Sequence, residues 1–142
     1  DILQLFNSSI QDKKLNIRNS YDEDIVVFAD QQMISTVLRN LIYNAIKFTP
    51  DGGTITIFAE RSDEKIQFSI SDTGMGMSET DIATLFDSGT HFSRKGTKSE
   101  KGTGIGLEIA HEFIQRHGGK IDVESALHEG TVFIVTIPSI II

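Results

Sequence analysis

Apolar and polar residues change period several times along the chain, and each change marks an element. Residues 1–12 (DILQLFNSSIQD) put Ile2, Leu5, Phe6 and Ile10 on one helical face. Two short alternating segments follow, 15–19 and 25–28, divided by the polar turn Asp22-Glu23-Asp24. Over 30–48 the helical period returns, with Ile34, Val37, Leu38, Leu41, Ile42 and Ala45 filling one apolar arc. Asp30 is placed to cap this helix, and Thr49-Pro50-Asp51-Gly52-Gly53 stops it. Segments 54–60 and 66–72 alternate as a strand pair around a turn at 61–65, and a glycine-bearing loop then leads to a short helix around 79–86. Residues 87–103 (DSGTHFSRKGTKSEKGT) have no periodicity and predict a mobile loop of a length that usually marks a functional lid or disorder. A second amphipathic helix, 104–117, turns Ile109, Ala110, Phe113 and Ile114 inward and ends at Gly118-Gly119. Strands 120–125 and 131–138, joined by a turn carrying Gly130, close the chain. This grouping predicts an α+β fold: a two-layer α/β sandwich whose mixed, mostly antiparallel sheet is packed on one side by about three helices.

Inside helix 30–48 a second stripe departs from this bland pattern. Asn40, Asn44 and Lys47 fall within an arc of roughly 60° on one face, beside the apolar arc. Carboxamide oxygens are hard, neutral donors suited to Mg²⁺, which keeps several waters and is usually completed by substrate phosphates. Lys47, one turn past Asn44, is within reach of a phosphate oxygen. Read alone, the stripe fits a solvated face equally well.

Composition narrows the classes. The 142 residues carry a net charge of −7, against a reader of phosphate backbones, and no cysteine, so no disulfide framework or thiolate metal site. That length suits one domain with its own core. No apolar run approaches the ~20 residues of a membrane-spanning helix.

Three further motifs follow the helix. Asp72-Thr73-Gly74-Met75-Gly76 closes an alternating strand, so its carboxylate can read an exocyclic amine such as adenine's while Gly74 and Gly76 admit a ligand closely; a plain strand terminus with a turn reads the same way. Gly102-Thr103-Gly104-Ile105-Gly106-Leu107 opens a helix, where free amides form an anion site; its spacing is neither the dinucleotide-binding nor the P-loop pattern, and a flexible hinge is the alternative. Arg94, Lys95, Lys98 and Lys101 can close over phosphates or form a solvated charge run, though Phe86 and Phe92 suit a purely solvated loop poorly. His111-Glu112 is similar to a phosphoacceptor dipeptide but lacks a following proline and reads as a packing or surface residue. The four histidines show neither metal-ligand spacing nor a triad pattern.

The order 40–48, 72–76, 86–92 and 102–107 resembles the N, first glycine, F and second glycine boxes of the sensor histidine kinase catalytic domain. The tail His117-Gly118-Gly119-Lys120-Ile121, with Gly130-Thr131-Val132-Phe133 and Pro138, is similar to that family's closing strands, and 1–30 resembles the segment after its dimerisation helices. The resemblance covers essentially the whole chain. It implies the Bergerat fold of the gyrase, heat-shock chaperone, histidine kinase and mismatch-repair superfamily, with ATP bound under a mobile lid at about 87–103. It also implies site roles: Asn44 as the Mg²⁺ ligand with Asn40 supporting it directly or through water, and Lys47 and Arg94 on phosphates. Asp72 would read the adenine amino group, with Phe48 near the base. Gly74, Gly76, Gly102, Gly104 and Gly106 would shape the hinges and phosphate approach, beside Leu107, with Lys98, Lys101 and Thr103 as lid contacts.

ATP-hydrolysing members of the superfamily carry a water-activating glutamate four residues before the metal-binding asparagine. Here that position is Asn40, which cannot act as a base, so the expected reaction is phosphoryl transfer to a histidine. The expectation is a catalytic domain spanning 1–142, with the dimerisation and phosphoacceptor domain absent. Its partners would be that histidine-bearing domain and a response-regulator receiver domain, within a homodimeric, membrane-anchored protein whose catalytic domain is cytoplasmic; nucleic acid and direct membrane insertion are not expected. An ATP-hydrolysing conformational switch of the same fold, or a non-catalytic nucleotide-binding or docking module, are the alternatives.

Overall fold

Asp30 starts the longest element. Its carboxylate accepts from the Met33 amide at 2.9 Å and caps α3 (Gln31–Phe48), satisfying one of the donors that a helix start leaves open. The computed structural model describes residues 2–20, 29–62, 64–85 and 106–138; the expected strand 25–28 and lid 87–103 lie outside them.

The apolar arc of α3 buries Val37, Leu41, Ile42, Ala45 and also Ile46, with Ile34 and Leu38 partly covered. Beneath it lies a five-stranded sheet in the order β1-β2-β3-β5-β4. In it β1 (Asn16–Ser20) runs parallel to β2 (Thr54–Arg61). The rest is antiparallel: β3 (Lys65–Asp72) lies between β2 and β5 (Gly130–Pro138), and β4 (Lys120–Ala126) forms the far edge. Period-2 alternation puts Ile55, Ile70, Phe133, Val135 and Ile137 on the face that meets the helices. A mixed, mostly antiparallel two-layer sandwich is therefore the fold, as the pattern predicts. Among the described residues no helix is long and apolar enough to cross a membrane.

Two details correct the sequence reading. The opening helix is broken into α1 (Ile2–Leu5) and α2 (Asn7–Asp12). The Phe6 amide bonds back to Leu3 at i−3, a tighter turn that rotates the residues before it. Leu5 is consequently 67% exposed, and Leu3 joins Ile2, Phe6 and Ile10 against the core. In α5 (Gly106–Arg116) the buried face is Leu107, Ala110 and Ile114, spaced i, i+3 and i+7, with Phe113 packed beside it; Ile109 lies off that line and is only half-buried.

Short α4 (Glu79–Thr84) is held by a reciprocal capping box between Ser78 and Asp81. At the opposite end of the helical layer, the Asp30 amide donates to His117 Nε2 at 3.0 Å while Nδ1 meets the Phe113 carbonyl at 2.8 Å. The two partners select the Nδ1–H tautomer and tie the end of α5 to the start of α3.

Candidate functional site

β3 ends at Asp72 inside the sheet, directly opposite Thr131 of β5. Asp72 is 7% exposed, and its Oδ1 accepts from the amides of Gly74 at 2.9 Å and Thr131 at 3.2 Å. Loss of hydration pushes its carboxyl up from 3.8 to about 6, against the downward pull of those two bonds.

The pocket beside it is lined by Asn44 and Phe48 from α3, Asp72, Gly76 and Met77 from the end of β3 and the loop after it, Leu107 from α5, and Thr131 and Phe133 from β5. Phe48, Met77, Leu107 and Phe133 make it largely apolar, with three polar side chains converging: Asn44, Asp72 and Thr131. That is the make-up of a small-molecule site for a partly apolar ligand.

Backbone contacts fix the loop that forms one wall. The Met75 amide donates to the Phe48 carbonyl at 2.9 Å, and the Met75 carbonyl accepts from His128 at 2.7 Å. Gly76 takes φ +68°, and a Cβ there would strike the Ala126 carbonyl. Gly76→Ala is therefore expected to lower stability by about 2 kcal/mol or more, combining left-handed strain with a backbone clash. A denaturation midpoint equal to that of the parent chain would refute the clamp.

Hydroxyls complete the wall. Ser125 Oγ donates to the Gly130 carbonyl at 2.8 Å and accepts from the Met77 amide at 2.8 Å. Its single hydrogen is thereby used, so Thr131 Oγ1, also at 2.8 Å, donates to Ser125 and keeps its lone pairs as acceptors.

Of the residues that the sequence singles out, Asn44, Phe48, Asp72, Gly76 and Leu107 share this pocket. Gly74 sits just outside the lining, where a Cβ would meet the Phe48 carbonyl. Asn40 is half-buried one turn before Asn44. Gly106 opens α5 against it, close enough that a Cβ would come within 2.9 Å of Asn40 Oδ1. Lys47 departs from the expected polar stripe. It is 3% exposed, and its Nζ stands 5.0 Å from the centroid of the Phe48 ring. Phe86, Phe92, Arg94, Lys98, Lys101, Gly102, Thr103 and Gly104 lie outside the described residues. Met77, Thr131 and Phe133 escape the sequence reading of the pocket. The β3–β5 register puts 131 and 133 on the face that carries Asp72, and no local pattern in the sequence announces that pairing. Among the described residues no group of three or more His, Cys, Asp or Glu side chains is placed to hold a metal ion.

The family model described as "Histidine kinase-, DNA gyrase B-, and HSP90-like ATPase" matches residues 29–141. The adaptive-response sensory kinase SasA of Gloeothece citriformis (strain PCC 7424) is 37% identical over 140 residues, which is 97% of this chain and 35% of that relative. The chain thus spans about a third of that relative's length. Among solved structures, the catalytic domain of histidine kinase ThkA superposes with a TM-score of 0.83 at 34% identity, covering 97% of this chain and 89% of that one. Histidine kinase ThkA in complex with response regulator protein TrrA is similar at a TM-score of 0.79 and 30% identity, covering 98% of this chain and 38% of that one.

Proposed function

The chain belongs to the histidine kinase-, DNA gyrase B-, and HSP90-like ATPase family, and from that membership we propose that it is the ATP-binding catalytic domain of a two-component sensor histidine kinase. It passes the γ-phosphoryl group of ATP to a histidine on a dimerisation domain of the same protein. The observation that carries this reading is the pocket: a buried carboxylate held by two backbone amides, apolar walls on either side, and the carboxamide of Asn44 at its edge.

These residues fit an adenine nucleotide. With Oδ1 engaged by Gly74 and Thr131, Oδ2 of Asp72 is the acceptor for the adenine amino group, and Thr131 Oγ1 offers a second acceptor beside it. Phe48, Met77, Leu107 and Phe133 exclude water from the base. The chemistry of the asparagine pair fits Mg²⁺, with Asn44 as ligand and Asn40 supporting it. When bound, the metal offsets charge on the phosphates as the phosphoryl group moves. Lys47, with its Nζ 5.0 Å from the Phe48 ring, and Arg94 are assigned to the phosphates by the family motifs that they match, with Lys98, Lys101 and Thr103 as lid contacts and Gly102 and Gly104 shaping the phosphate approach.

The acceptor imidazole brings its own lone pair, so the new P–N bond forms as the bond from the γ-phosphorus to the β–γ bridging oxygen breaks, leaving ADP. No base in this domain is needed for that step. Asn40 supports transfer over hydrolysis, because a carboxamide cannot activate water at neutral pH. The phosphorylated histidine then serves a response-regulator receiver domain, a reading supported by the ThkA–TrrA complex.

Incubating the chain with γ-labelled ATP, Mg²⁺ and the histidine-bearing segment of its full-length protein tests the proposal. Acid-labile label on that segment is the expected result. Multiple-turnover phosphate release by the chain alone, without label transfer, would replace the kinase reading by an ATPase switch.

A further inference from the structure

Lys13 is 3% exposed and is not among the residues that line the pocket of Asn44 and Asp72. Its Nζ donates to three carbonyls at the end of α3: Ile46 at 2.7 Å, Lys47 at 3.2 Å and Thr49 at 3.3 Å. Three acceptors match the three hydrogens of an ammonium, placed where the helix leaves carbonyls open and its dipole is negative. Its backbone takes part as well, the Lys13 carbonyl accepting from Gly52 at 2.8 Å. The same turn of α3 carries Asn44, Lys47 and Phe48, and the Phe48 carbonyl holds Met75 and so the wall that includes Gly76. Residue 13 also lies between α2 and β1, so the ammonium links the opening helical segment to the end of α3, next to the pocket residue Phe48.

We propose that Lys13 is a positioning residue for the nucleotide pocket. Through the last turn of α3 it sets where Phe48 and the 74–76 loop stand, and it makes that placement depend on how α1–α2 is seated. The inference rests on the proposed ATP reading for its functional consequence, but its structural part does not need ATP. A structural strut alone would affect stability only. A positioning residue affects binding beyond what its cost in stability explains.

The test compares Lys13→Met with Ile137→Ala, a core change remote from the pocket, and with Lys13→Arg, which keeps donors. ATP–Mg²⁺ affinity is measured well below each melting temperature, and exchange of the Met75 amide is followed by NMR. Lys13→Met is expected to weaken ATP about tenfold and to speed Met75 exchange, with Ile137→Ala near the parent in both and Lys13→Arg recovering most of the loss. If Lys13→Met does not fold, Lys13→Gln takes its place in the same comparison. Equal affinity and equal Met75 exchange in the Lys13 and Ile137 variants would overturn the inference. If the parent chain itself fails to bind ATP, the functional reading falls while the exchange data still decide the positioning role.

Discussion

Asp72→Asn is expected to weaken ATP binding about 100-fold while the domain stays folded and, at pH 7 or above, becomes more stable. Asparagine can keep its Oδ1 on the amides of Gly74 and Thr131, so the anchoring bonds survive. Its Nδ2 would then face the adenine amino group, donor against donor. Losing a charge-assisted bond and burying unpaired donors costs about 2–3 kcal/mol, which is the factor stated. The stability gain has the opposite origin. Asp72 titrates at about 6 in the fold against 3.8 when hydrated, because burial penalises its ionised form. Protonated Asp72 carries no such penalty, so the favourable contribution is complete below pH 3.8 and is lost as pH rises through about 6. Above that, ionised Asp72 opposes folding by on the order of 3 kcal/mol at most, and the asparagine removes the opposition. Binding runs the other way in the parent, since the ionised carboxylate is the better acceptor. ATP affinity should therefore fall as pH drops from 7.5 towards 5.5, and the Asp72→Asn affinity should stay level. Calorimetric titration at the two pH values, with thermal melts beside it, checks both trends. An ATP-to-GTP preference unchanged by the substitution would remove Asp72 from base recognition.

Asn44→Ala should lower phosphotransfer by about 10²–10³-fold, the range for losing one preorganised group that stabilises moving charge. The fold should survive with an equal or higher melting temperature. Asn44 is half-buried and off the packed arc of α3, and alanine is the better helix former there by about 0.5 kcal/mol. The expected signature is selective: the gain in ATP affinity on adding Mg²⁺ disappears, while the weaker metal-free affinity is kept. Binding with and without Mg²⁺, followed by transfer to the supplied dimerisation segment, distinguishes the outcomes. Unimpaired transfer would sink the metal-ligand assignment.

Asn44 and Asp72 were legible before any coordinates because each breaks a local rule. A carboxamide beside an apolar arc and a carboxylate ending an alternating strand before two glycines each also fit a solvated face or a plain turn when read alone; their order along the chain singles them out, and both line the pocket. Lys47 shows the limit of that logic. Helical spacing puts it with Asn40 and Asn44, yet the side chain is buried beside the Phe48 ring. Angular position on a helix sets where a side chain leaves the backbone, not where a four-carbon stem carries its charge. Lys13 is the converse case, an ordinary lysine in a polar run whose role depends on carbonyls more than thirty positions away.

By itself, then, the sequence determined the order and type of the elements among the described residues, apart from the break in the opening helix, together with the capped helix and its asparagines, the glycine spacing and the family, because all of these follow from short-range periodicity, turn chemistry and motif order. Tertiary structure alone decided the raised titration of Asp72, the entry of Thr131 and Phe133 into the pocket, and the grip of Lys13 on α3. Each of those depends on the β3–β5 register or on which face covers which, and such long-range pairings leave no local period to read.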